Sequence, residues 1–233
     1  MAFQKPQFVD NEIYHIYNRG VEKRKIFLGG KDFLRFIHSL FEFNDKNPAV
    51  NVSYYFNPLS LKTEHQNIKE ERRDRKLLVE VLAFTLMPNH FHLLLRQITE
   101  GGIITFMQKL GTGYTMYFNK KYERVGGLFQ GRFKAVLVHT DAHFIHLPFY
   151  IHTNPVDLLY RGSTSIEKQI NFLETYRWSS FPDYIGKKNF PSVTSRDFLL
   201  DFFRGEAAYK KATFEWLRER NQNKETIKTL TLE

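Results

Sequence analysis

Two histidines one residue apart, His90 and His92, lie in the run Asn89-His90-Phe91-His92-Leu93-Leu94-Leu95. Side chains alternate faces along a strand, so the two imidazoles project from one side while Phe91, Leu93 and Leu95 enter the other. Held on a rigid strand, the pair can grip one divalent ion from one edge. The remaining coordination positions are left to a third protein ligand, water or a phosphate oxygen. Taken alone, so short a pattern more often describes two ordinary half-buried histidines, and its chemistry depends on what surrounds it.

Two further clusters supply such surroundings. In Gly126-Gly127-Leu128-Phe129-Gln130-Gly131-Arg132-Phe133-Lys134, glycines let the backbone approach a ligand, Arg132 and Lys134 can bind phosphate, and Phe129 and Phe133 can stack on unpaired bases. The same composition also suits a glycine-rich turn whose phenylalanines belong to the core. In Phe149-Tyr150-Ile151-His152-Thr153-Asn154-Pro155, a helical conformation puts Tyr150 and Asn154 one turn apart on a shared face, a phenol beside an amide. Periodicity does not select Tyr150 from the twelve tyrosines.

The elements that must position these residues follow from hydrophobic pattern. Residues 13–19, IYHIYNR, read as a strand ending at Gly20, and residues 31–43 carry Phe33, Phe36, Ile37, Leu40 and Phe41 at helical spacing. Residues 77–87 and 90–96 read as a strand pair joined by the turn Pro88-Asn89. A second helix is expected over 103–118, a strand over 133–139 and a further helix from about Asp141. The order β-α-β-β-α-β-α predicts an α+β fold, a ferredoxin-like antiparallel sheet with helices on one face. Beyond it, helical patterns near 195–203 and 206–220 predict an appendage. The expected organisation is a catalytic domain over 1–160 with a polar insertion at 44–75 containing the charge run 69–76, a helical appendage over 161–220 packed on it, and a polar tail over 221–233.

Composition narrows the chemistry further. The chain has 233 residues, 42% of them hydrophobic and 16% aromatic, which suits a folded domain with aromatic residues to spare. Lys and Arg total 34 against 25 acids, a formal charge of +9, which favours a polyanionic partner. Arg19, Arg132 and Lys134 fall near the ends of expected strands. With no cysteine there is no disulfide, no thiolate zinc site and no cysteine nucleophile. No apolar run reaches the length of a membrane span and no secretory leader is legible, so a cytoplasmic location is expected.

The segments YHIYNRG, AFTLMPNHFHLLL, GGLFQGRFKA, FYIHTNP and YRWSSFPDYIG, in this order, resemble the single-tyrosine HUH transposases, in particular the REP-associated tyrosine transposase branch. The resemblance spans about residues 10–190. It implies His90 and His92 as ligands of a catalytic divalent ion, Tyr150 as the nucleophile and Asn154 as the third ligand. It implies cleavage and rejoining of single-stranded or hairpin DNA through a 5′-phosphotyrosyl link. By their own chemistry and placement, Arg19, Phe129, Arg132 and Lys134 are the residues expected to contact that DNA. Mg²⁺ or Mn²⁺ fits the ligand set, two imidazoles suiting Mn²⁺ better. No small-molecule cofactor and no membrane enter this reading, and a monomer is favoured over a dimer. The alternative is a hairpin-binding protein that does not cleave. Pro148 lies two residues before Tyr150, so the helix there is expected either to restart or to kink.

Overall fold

Alternation along Ile13–Arg19 is followed faithfully by strand β1: Tyr14 and Ile16 are fully buried on one face, and His15 and Tyr17 point to the other. A computed structural model describes residues 8–49, 55–56, 63–64, 74–159 and 165–222. The elements follow in order as β1, α1 (Gly30–Glu42), β2 (Tyr55–Phe56), β3 (Thr63–Glu64), β4 (Val79–Met87), β5 (His90–Gln97), α2 (Gly102–Lys121), β6 (Lys134–Leu137) and α3 (Asp141–Thr153). Then come α4 (Val156–Leu159), α5 (Ile166–Thr175), α6 (Phe181–Tyr184), α7 (Asp197–Phe202) and α8 (Glu206–Gln222). Strands β4-β5-β1-β6 form one antiparallel sheet in that order, and β2 pairs separately with β3. This is the expected α+β fold. Apart from its flanks and the β2–β3 pair, the polar insertion at 44–75 lies outside the described residues. Most of the charge run 69–76 does so too, as does the tail beyond Gln222.

One face of the sheet carries Tyr14, Ile16, Phe84, Leu86, Phe91, Leu93 and Leu95 into a core closed by α1 and α2. These are the two crossover helices expected on one face. Asp32 fastens them together: its carboxylate accepts from the Leu28 and Gly29 N–H groups at 2.8 and 3.0 Å, from the Tyr117 and Tyr122 hydroxyls at 3.0 and 2.7 Å, and from Lys121 Nζ at 2.5 Å. Burial alone would raise this carboxyl. The hydrogen bonds from Lys121, Tyr122, Leu28 and Tyr117 outweigh it and hold it below the ordinary carboxylate value.

The opposite face is covered as well. Leu82, Ala83 and Leu94 meet a second core built from α3, α5, α6, α7 and α8, so the helical appendage packs on the side away from α1 and α2. A β-bulge between Val81 and Ala83 inserts Leu82, which lets β4 send both Leu82 and Ala83 to this side before alternation resumes at Phe84. The outer edge of β4 is not left bare. Ser180 N–H donates to Phe84 O at 3.0 Å, Leu86 N–H to Trp178 O at 2.9 Å and Ser195 N–H to Val81 O at 2.9 Å. The aromatic segment at 176–186 is therefore an edge cover for the sheet.

The turn between β4 and β5 is two residues long, and the segment after β1 holds it in place: Gly20 N–H donates to Asn89 O at 2.8 Å and Ile26 N–H to Pro88 O at 2.8 Å. Gly20 is required by close approach, because a Cβ there would stand 2.2 Å from the Arg24 carbonyl oxygen. His90 follows this turn directly, so its position is set by three chain segments at once.

Candidate active site

The sheet register brings the histidines to a common patch. In the β1–β5 pairing Tyr17 lies opposite His92 and Arg19 opposite His90, with His15 one step further along opposite Leu94. All five polar side chains share the face that α3 covers. His90 and His92 do project from one side, as alternation predicts, and their ring centroids are 5.0 Å apart.

Helix α3 supplies the rest. Thr140 caps it, its Oγ1 accepting from His143 N–H at 3.2 Å. The helix then runs unbroken through Pro148 to Thr153, so it does not restart at the proline as one of the two expectations had it. Proline leaves the Phe144 carbonyl without its helical donor, and packing on both sides must hold that turn together. The last two turns, Leu147 to Thr153, are buried all round, between the sheet on one side and α8 on the other. Asn154 N–H donates to Tyr150 O at 3.1 Å, which fixes the two residues one helical turn apart on the face toward the histidines. The Tyr150 ring stands edge-on to His92, centroids 5.5 Å apart, and to His15 at 6.1 Å. Asn154 Oδ1 lies 3.3 Å from His90 Nε2.

All three imidazoles are held neutral. Burial pushes His15 down to about 3, and it pushes His92 well below its ordinary value, helped by the neighbouring His15 and His90. His90 is lowered by burial, with Arg19 adding to the effect and the Asn154 contact and Asp157 opposing it. A neutral imidazole keeps one nitrogen lone pair, which is what a metal ligand needs. His90 Nδ1 lies 2.7 Å from Asn89 Oδ1 and a neutral ring carries one proton, so in the tautomer that places it on this shorter contact Nε2 faces Asn154 Oδ1 lone pair to lone pair. A cation between the two satisfies both. Their 3.3 Å spacing is close to the roughly 3 Å separation of neighbouring ligands around an octahedral ion at about 2.1 Å. His92 engages His15 through Nδ1 at 2.9 Å, which leaves Nε2 as the atom to meet an ion. The donor set of two neutral imidazoles and an amide oxygen thus fits Mg²⁺ or Mn²⁺. Among the described residues no group of three or more His, Cys, Asp or Glu side chains comes together as a metal cluster.

The remaining expected residues are divided between the two faces. Arg19 is exposed at the end of β1 and donates through Nε to Gln130 Oε1. Lys134, exposed at the start of β6, reaches over the Tyr17 ring at 5.7 Å and so belongs to the histidine face. Arg132 is exposed in the loop before β6. Phe129 is elsewhere: it packs edge-on against Phe91 at 5.9 Å and against Tyr114 at 6.4 Å, on the α1–α2 side. There it lines, with Phe133 and Arg132, a cleft of about 1090 Å³ beside α2. Three other tyrosines are removed from contention by placement, because the hydroxyls of Tyr114, Tyr117 and Tyr122 bond to Ile26 O and Asp32 on that same far side.

Several residues of the site gave no distinct signal in the sequence. His15 and Tyr17 sit within a plain strand pattern, and only the parity they share with Arg19 hints at a common face. His152 is fully buried between the Tyr209 hydroxyl and Ser180 Oγ, 2.7 Å from each, and burial lowers it to about 3. Trp216 Nε1 donates to Thr153 Oγ1 at 3.3 Å, and Arg220 reaches both Thr153 O and Asp157. The end of α3 that bears Tyr150 and Asn154 is thus tied down by α8.

The site is thus an antiparallel sheet with paired histidines, faced by a helix bearing a tyrosine and an amide one turn apart. Residues 57–154 match the family model described as IS200-like transposase. That stretch holds both histidines, Tyr150 and Asn154, and it bears out the resemblance to the tyrosine transposases. The fold is similar to that of a REP-associated tyrosine transposase bound to a REP hairpin, with 14% identity, 84% of this chain and 93% of that chain covered, and a TM-score of 0.53. Comparison with curated proteins returns no match. Among the described residues, no helix is long and apolar enough to cross a membrane.

Proposed function

We propose that the protein is a metal-dependent endonuclease and strand transferase acting on single-stranded, hairpin-flanked DNA. The observation that carries this reading is that α3 delivers Tyr150 to His92 and Asn154 to His90 at once, with ring centroids 5.5 Å apart in the first contact and Nε2 and Oδ1 3.3 Å apart in the second. His90, His92 and Asn154 would hold the ion. When bound, it polarises the scissile phosphodiester and neutralises charge growing on its oxygens.

The chain's own residues do the remainder. Tyr150 gives up its phenolic proton to solvent and its oxygen attacks phosphorus; the bond to the 3′ oxygen breaks, and that oxygen takes up a proton from solvent and leaves as a 3′-OH, so the exchange consumes no net proton. The product is a 5′-phosphotyrosyl DNA link. A 3′-OH from another strand can reverse the exchange and rejoin DNA, because the broken bond's energy is kept in the link. Burial of Tyr150 on a tied-down helix presets the phenol and limits water's access to the link. Arg19 and Lys134, exposed on the histidine face, are the phosphate contacts nearest the reacting centre, with Arg132 in the adjoining loop and Phe129 in the cleft behind it as further DNA contacts. The formal charge of +9 suits the same partner.

The test is incubation with end-labelled single-stranded DNA carrying hairpins from the flanks of the gene, with and without Mn²⁺. A denaturation-resistant protein–DNA adduct that requires the ion is expected. Tight binding of the hairpin without any adduct would replace this reading with that of a non-cleaving hairpin-binding protein.

A further inference from the structure

The contact between His15 and His92 lies outside the proposed ligand set, yet it decides which nitrogen of His92 carries a lone pair. His15 Nε2 and His92 Nδ1 are 2.9 Å apart, the rings lie edge to edge within 20° of coplanar with centroids 5.1 Å apart, and each residue is 1% exposed. One proton joins the two nitrogens, and two arrangements follow. With the proton on His15 Nε2, His92 must carry its own proton on Nε2 and has no lone pair there. With the proton on His92 Nδ1, His15 accepts it and His92 Nε2 is left bare. Only the second arrangement can ligate an ion.

Resting on the metal-site reading above, we propose that His15 is a positioning residue: as the acceptor for His92 Nδ1–H, it holds His92 in the tautomer and ring orientation that present Nε2 to the ion. Strand pairing fixes the spacing, since Tyr17 lies opposite His92 and His15 is its diagonal neighbour across β1 and β5. Burial makes the role hard to replace, because bulk water does not reach the pair to accept in place of His15. His15 itself is unsuited to be a further ligand through Nε2, which is already turned to His92. Outer partners of this kind typically contribute about 10–100-fold to metal affinity.

The experiment is calorimetric titration of Mn²⁺ into the parent protein and into His15→Gln and His15→Phe, with ¹⁵N NMR of the His92 ring in the Mg²⁺-loaded parent. Glutamine keeps an oxygen acceptor at similar reach, whereas phenylalanine keeps an aromatic ring in the buried position and removes the acceptor. Phenylalanine is expected to weaken Mn²⁺ binding about 10–100-fold, and glutamine to restore most of that loss. The His92 spectrum should show Nδ1 protonated and Nε2 bare. Equal affinity of parent and phenylalanine variant, or a His92 protonated on Nε2 in the loaded parent, overturns the proposal, and the second readout needs no variant to fold. A parent protein that binds no Mn²⁺ overturns the metal-site reading itself, and this inference with it.

Discussion

Asn154 Oδ1 lies 3.3 Å from His90 Nε2, a contact between the C-terminal end of α3 and the first residue of β5. With the one ring proton on the shorter Asn89 contact, these are two lone-pair atoms, and in the proposed function a cation joins them. Asn154→Ala and His90→Ala are therefore expected to reduce Mn²⁺ affinity and cleavage by about 100-fold or more, exceeding the loss typical of an outer partner. Thermal unfolding should change little for His90→Ala, because the core face of β5 belongs to Phe91, Leu93 and Leu95. Calorimetric titration beside a cleavage assay checks this, and undiminished Mn²⁺ binding by both variants would count against the ligand set.

His152 fastens the same helix from behind, bonding Tyr209 and Ser180 at 2.7 Å each. Its replacement by alanine strands the buried Tyr209 hydroxyl, while Ser180 Oγ keeps its bonds to the Phe84 backbone, and is expected to destabilise the protein by about 2–4 kcal/mol, from lost hydrogen bonds and a cavity together. Urea denaturation measures the loss. Cleavage should slow even where folding is complete, since α3 is freed to shift.

A separate anchor, Asp32, gives a pH signature remote from the site. Its carboxyl is held below the unfolded value near 3.8, so the stability it confers is fully present above that value and is lost as pH falls through the lower, folded value. Asp32→Asn should cost about 1–3 kcal/mol at neutral pH. It should also flatten the pH dependence of unfolding free energy below about pH 4, and an unchanged acid limb would contradict the account of this cluster.

How much of this was legible in the sequence depended on whether an element had one buried face or two. Strand β5 buries Phe91, Leu93 and Leu95 against α1 and α2, so strict alternation placed His90 and His92 together on the other side. Likewise α1 shows a clean apolar stripe, and its boundaries were read to within a residue or so. Helix α3 is different: its last two turns are buried against the sheet and α8 together, so no stripe told which way Tyr150 faced. Composition did not tell which face of the sheet Phe129 occupies, because a glycine-rich turn shows no periodicity; its ring lies on the α1–α2 side, against Phe91 and Tyr114. The site's dependence on His15, His152 and Trp216 arises from long-range packing, which spacing along the chain does not encode.

Binding to DNA should be strongly electrostatic. Affinity for a single-stranded oligonucleotide is expected to fall with salt at roughly 0.7 log-log units per phosphate contact. Charge reversal at Lys134 or Arg132, both exposed, should weaken binding and reduce that slope. A slope near zero would point the basic surface at some other partner.

The central claim, that Tyr150 is the nucleophile, is tested most directly by peptide mapping of the covalent adduct. Tyr17 is the informative control, because its ring lies 5.9 Å from His92, comparable to the 5.5 Å of Tyr150. The nucleotide is expected on Tyr150 alone; Tyr150→Phe is expected to abolish the adduct while Mn²⁺ and hairpin binding persist, and Tyr17→Phe still to form it. A nucleotide on Tyr17 or any other tyrosine, or an adduct that survives in Tyr150→Phe, would contradict the claim.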